Sequence, residues 1–142
     1  MTTPVEMQHK FEADTQAVSS FLDVFEEWAE SHEVQPPIYM PLRLILDEWL
    51  TNVAMHAYAG AGGQVEVCAS SPSSSCVEVV VRDWGTAFDP LAALPPDTAL
   101  DIEERDIGGL GIHFMRRMAS KIHYERDGPC NVLSITKSVP GP

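Results

Sequence analysis

The sequence predicts one α+β domain, a sheet with its helices on one face, and three observations lead there. Val18, Phe21, Leu22, Phe25, Trp28 and Ala29 recur at helical spacing. Short β-favouring runs come in pairs, 64–69 with 76–82 and 122–126 with 132–137. The elements follow the order β-α-α-β-β-loop-α-β-β, which suits two layers around one core. A chain of 142 residues is long enough to bury such a core.

The first strand is expected over Val5–Phe11, where polar and apolar residues alternate loosely. Asp14 or Thr15 can cap a helix that runs to about His32, its apolar residues on one face. Gln35-Pro36-Pro37 should stop it. A second helix is expected from Ile38 or Pro41 to Ala59, with Leu42, Leu46, Trp49, Leu50, Val53 and Ala57 as its core stripe. The following AGAGG supplies residues that tolerate positive φ. SSPSSS reads as the turn between the next two strands. Residues 83–111 read as a loop, long enough to suggest function. A third helix is expected from about Leu110 to Ser120, and Asp127-Gly128-Pro129 joins the last two strands.

Composition narrows the function classes. Nine basic against 21 acidic residues give a net charge of −12. That disfavours nucleic acid, whose binding rests on neutralising phosphates, and it disfavours anionic lipid. Cys68, Cys76 and Cys130 have neither disulfide nor zinc-ligand spacing, which suits reduced thiols. No signal peptide opens the chain, and no apolar stretch approaches the roughly 18 residues of a membrane helix. A soluble, cytoplasmic protein is the expectation.

Three constellations carry chemistry. Glu48, Asn52 and His56 are spaced i, i+4, i+8 on the second helix, each about 40° round from the last. A carboxylate and an amide would then share the edge of the core stripe, where burial raises a carboxylate toward a useful base. A solvated helix face is the simpler account of such a pair alone. His56 and Tyr58 read as packing or hydrogen-bonding residues. Next, VVVRDWGTAFDP (79–90) ends a strand at Asp83, with Gly85 two residues on. A fixed acceptor beside an open backbone suits an exocyclic amine, although Asp-x-Gly after a strand is often only a turn. Finally, DIGGLGIHFMRRM (106–118) places Gly108, Gly109 and Gly111 before a helix, where free N–H groups and the dipole favour phosphate. It is neither a Walker loop nor a dinucleotide turn.

In this order the motifs resemble those of the GHKL ATPase superfamily. Glu48 to Asn52 is similar to its N box, Asp83-x-Gly85 to its first glycine box and Gly108–Gly111 to its second. EWLTNVAMHAY (48–58), DWGTAFDP and GGLGI most resemble the bacterial anti-sigma-factor serine kinases, over about residues 5–137. The resemblance implies a Bergerat α+β sandwich, a mixed sheet of about five strands with three main helices on one face. It implies ATP and Mg²⁺ as cofactors, with a lid over about residues 90–107. It also implies transfer of phosphate to a serine of a STAS-domain anti-anti-sigma protein, alternating with a sigma factor or other regulator, and a homodimer.

By the same resemblance Glu48 would be the general base and Asn52 the magnesium ligand. Asp83 would accept from the adenine amine, Gly85 would make room for the base, and Gly109, Leu110 and Gly111 would offer backbone contacts to phosphate. Arg105 would reach the γ-phosphate, its rival reading being a surface pair with Glu103 or Glu104. Arg116 and Arg117 read as surface residues. Ala87 stands where many superfamily members have glycine, and Ser120 where this branch commonly has aspartate. Only about 35 residues precede the second helix, which favours an acceptor on another protein over a histidine autokinase. Two alternatives remain, a non-catalytic nucleotide-dependent sequestering protein and a simple GHKL ATPase.

Overall fold

The computed structural model describes residues 6–58, 62–91 and 107–139, with backbone alone for 107–112. Strand β1 (Met7–Glu12) leads into α1 (Thr15–Ser31) and α2 (Pro36–Asn52), which ends in a π-helical turn, Val53–Ala57. Then come β2 (Gln64–Ser73), β3 (Cys76–Asp83), α3 (Ile107–Met118), β4 (Lys121–Asp127) and β5 (Cys130–Ser138).

Asp14 caps α1 by accepting from the Ala17 N–H at 2.8 Å. The helix stops before the prolines are reached. Glu33 takes φ +60°, and the Val34 N–H returns to the Ala29 carbonyl at 2.9 Å. The prolines begin the next helix instead, because the first turn has no use for their missing N–H groups. α2 therefore opens at Pro36, earlier than the sequence suggests, and carries Pro41 inside it. β2 runs on to Ser73, so only Ser74 and Ser75 of the serine-rich stretch form the turn.

The five strands lie in the order β1-β2-β3-β5-β4, and every neighbouring pair is antiparallel. This corrects the expected mixed sheet. β3 and β4 do run in the same direction, as a strand–helix–strand crossover would have them. The β4–β5 hairpin folds β5 back between them, so no parallel pair forms.

Val77, Val79 and Val81 alternate with half-buried Glu78, Val80 and Arg82 along β3. The valines join Phe25 of α1, Leu42, Ile45, Leu46 and Leu50 of α2, and Met115 of α3 in one core. Each buried Leu or Ile contributes about 1.5–3 kcal/mol. α2 touches both other helices and β3 and β5, so it forms the middle of the helical layer. Arg43 ties it to α1, donating to the Leu22 carbonyl at 2.6 Å and to Asp23 at 3.1 Å. Among the described residues no helix is long and apolar enough to cross a membrane.

Candidate functional site

α2 brings Glu48 and Asn52 one turn apart, both partly exposed beside the buried Trp49 and Val53. Burial, and then repulsion from Asp47, pushes the Glu48 carboxyl above its ordinary range. The Asn52 amide has no hydrogen-bond partner among the described residues. His56 does not continue this row. The π-turn breaks the α-helical repeat after Asn52, and His56 is exposed rather than packed.

Asp83 ends β3 and is 1 % exposed. Its Oδ1 accepts from the Gly85 N–H at 3.0 Å and from Asn131 Nδ2 at 2.9 Å. Its Oδ2 carries no hydrogen bond among the described residues. A buried carboxylate held by one oxygen is well placed to accept from a ligand with the other.

The π-turn holds the Asp83 loop. The Thr86 N–H donates to the Ala57 carbonyl at 2.9 Å, and the Trp84 N–H to the Tyr58 hydroxyl at 2.8 Å. The Tyr58 hydroxyl in turn donates to the Gln64 carbonyl. Burial raises its pKa above the ordinary phenol value, which keeps that proton in place. A Cβ at Gly85 would lie 2.2 Å from the Ala57 carbonyl oxygen. The glycine thus lets the loop close on the end of the helix, where the resemblance implied room for a base. Arg126 of β4 donates to the Gly85 carbonyl at 2.9 Å, and Phe88 stacks on Trp49 with ring centres 6.3 Å apart. Glu48, Asn52 and Asp83 are therefore set on one connected frame.

The sequence profile described as "Histidine kinase-like ATPase domain" matches residues 11–137, nearly the whole chain. The chain belongs to this family.

A curated relative, the serine/threonine-protein kinase BtrW of Bordetella bronchiseptica, is 30 % identical over 95 residues, 67 % of each protein. Among solved structures, the RsbU and RsbW domains of Rv1364c from Mycobacterium tuberculosis superpose with a TM-score of 0.66 at 14 % identity. That match covers 96 % of this chain, which spans only about a third of the other (33 %). The histidine kinase domain of the blue-light activated kinase of Erythrobacter litoralis EL346 gives 0.52 at 17 % identity, over 87 % of this chain and 60 % of that one. Both structures share the fold, and membership of an ATPase family implies a nucleotide site.

Within this histidine kinase-like ATPase domain, Gly109, Leu110 and Gly111 lie inside α3, described from Ile107, whereas the sequence placed the helix start at Leu110. They stand in its first two turns, where α-helical N–H groups first lack partners and then find them. Arg105 and residues 92–106 of the lid expected over about 90–107 lie outside the described residues. Arg116 and Arg117 are exposed, as expected. Ser120 bridges to β5, accepting from the Ser138 N–H at 3.0 Å and donating to the Ser138 carbonyl at 3.2 Å.

Sequence reasoning missed Asn131, Tyr124 and Arg126, and it saw in Tyr58 only a packing or hydrogen-bonding residue. Asn131 is 3 % exposed and donates to Asp83 and to the Thr86 carbonyl, both at 2.9 Å. Its oxygen accepts from the Tyr124 hydroxyl and from the Phe88 N–H at 3.4 Å. An amide in a mostly apolar run, CNVLSI, was the one available signal.

Proposed function

We propose that this domain is an ATP-dependent serine-protein kinase whose acceptor is a STAS-domain protein in a partner-switching module, with a sigma factor or another regulator as its second partner. The observation that carries the reading is Asp83, buried, fixed through one oxygen, and joined through the π-turn to the helix bearing Glu48 and Asn52. The name of the BtrW relative supports protein-kinase chemistry.

Asp83 Oδ2 would accept from the adenine amine, a contact that a 6-oxo purine cannot supply. Magnesium needs few protein oxygens and keeps its waters, which fits an unengaged Asn52 amide. Among the described residues no group of three His, Cys, Asp or Glu side chains is placed to hold a metal ion. The ion would neutralise phosphate charge there. Glu48, raised toward the range of a useful base, would take the proton from the acceptor serine. The serine oxygen bonds to the γ-phosphorus as the bond to the β,γ-bridging oxygen breaks, and ADP leaves. Gly109, Leu110 and Gly111 would line the phosphate end, with Arg105 offering positive charge there.

Label transfer tests this. The pure protein, Mg²⁺ and γ-labelled ATP are incubated with host extract. Label on a small second protein is expected. ATP binding without label on any protein would overturn the kinase reading, with released phosphate pointing to a simple ATPase and none to a sequestering switch. Asp83→Asn is expected to weaken ATP binding, and unchanged affinity would remove Asp83 from the adenine pocket.

A further inference from the structure

Five large apolar side chains are exposed among the described residues: Met40, Leu44, Met55, Trp84 and Phe88. Three of them belong to α2 and its π-turn, with Met40 48 %, Leu44 49 % and Met55 60 % exposed. At about 100° per residue, Leu44 lies about 40° and Thr51 about 20° round from Met40. Met55 returns to the same side, about 60° round at α-helical pitch and nearer with the wider π-turn. These residues form a stripe along the outer side of the helix. Glu48 stands at its edge, about 40° from Leu44.

We propose that this stripe is the docking surface for the phosphoryl acceptor, an inference that rests on the kinase reading above. The other sides of α2 are taken. Leu42, Ile45, Leu46, Trp49 and Leu50 face the core, and Arg43 is spent on α1. A hydroxyl that reaches Glu48 therefore comes over Leu44 and its neighbours. The charge around the stripe describes the occupant. Asp47 and Glu48 border it, Arg43 is matched by Asp23 at 3.1 Å and Glu26 at 3.7 Å, and the chain carries −12 overall. The acceptor is a folded protein that presents its serine on an apolar patch rimmed by lysine or arginine. The two methionines suit a surface that accepts more than one shape.

The test uses a purified STAS-domain protein of the host and measures KM for that protein and for ATP separately. Leu44→Glu, with Leu44→Gln as the milder variant, is expected to raise the acceptor KM about tenfold, as loss of an interface anchor does, while KM for ATP stays put. An unchanged acceptor KM in both variants overturns the docking surface and leaves the kinase reading standing. Sedimentation separates the other occupant: if Leu44→Glu splits a dimer without touching the acceptor KM, the stripe belongs to a second copy of the chain and the proposal falls. If the wild-type protein binds ATP but labels no STAS protein of the host, the kinase reading fails and the proposal with it.

Discussion

Asp83 and Asn131 are register partners across the β3–β5 pairing, and the amide of one donates to the carboxylate of the other at 2.9 Å. Residues directly opposite on one face of a sheet have their Cβ atoms about 5 Å apart, which suits so short a pair. Asn131 also holds Thr86, Phe88 and Tyr124, so both its N–H groups and both its lone pairs are engaged. No capacity is left over for a ligand, and its work is to hold Asp83 still.

Replacing Asn131 by Leu should strip Asp83 of a buried donor and leave the Thr86 carbonyl unpaired. A loss of about 1–3 kcal/mol in urea unfolding is expected, with weaker ATP binding than that loss alone would cause in a protein kept folded. Calorimetric titration with ATP, well below the unfolding midpoint, checks the second half.

Glu48→Gln should abolish transfer and spare nucleotide binding. Its stability carries a sign as well. A carboxyl whose pKa is raised by folding holds its proton more tightly in the folded chain, so the wild type loses stability as pH rises from the ordinary carboxylate range through the raised value. The variant escapes that loss. It should match the wild type in acid and melt higher at neutral pH, while wild-type transfer falls as acid protonates the base. Paired thermal melts across pH 4–8 and a pH–rate profile check both signs.

Gly85→Ala brings a methyl into a space where the Ala57 carbonyl oxygen would be 2.2 Å away. The obstacle is backbone, so the loop itself must move. A cost of about 1–3 kcal/mol is expected from forcing atoms into filled space. ATP affinity should fall with it, because the displaced loop carries Asp83. Unfolding curves and nucleotide titration of the same variant measure the two effects together.

Tyr58→Phe removes a hydroxyl that accepts a hydrogen bond from the Trp84 N–H and donates one to the Gln64 carbonyl. A loss of about 1–2 kcal/mol is expected for the two bonds, since both groups are near enough to solvent to find water. Faster amide exchange at Trp84 is the specific sign, with the core strands protected as before.

Much of the fold was legible because the core alternates cleanly. The period-3.6 stripe of α1 and the valines of β3 each put one face inside, and the structure has them there. Glu48, Asn52 and Asp83 were legible as a motif, since their residue types and spacing are local facts. Asn131 was not, because its meaning depends on β5 folding in beside β3, a pairing set 48 residues away in sequence. The stop of α1 was misread for a local reason: Glu33 adopts a left-handed conformation more usual for glycine or asparagine, and nothing in its type announces that. Gly85 was legible as a glycine that matters, but its neighbour turned out to be the chain's own backbone.

The π-turn after Asn52 gives the second helix a fixed length as well as a direction. Deleting one residue within 53–57 could restore ordinary α-helical pitch, and taken alone that would make a better helix. It would also draw the Ala57 carbonyl and the Tyr58 ring back along the axis by about 1.5 Å and swing them through about 100°, away from Thr86, Trp84 and Gly85. The irregular turn works as a spacer cut to fit the loop it meets. An engineered loop from a relative with a regular helix end would arrive here one residue out of step.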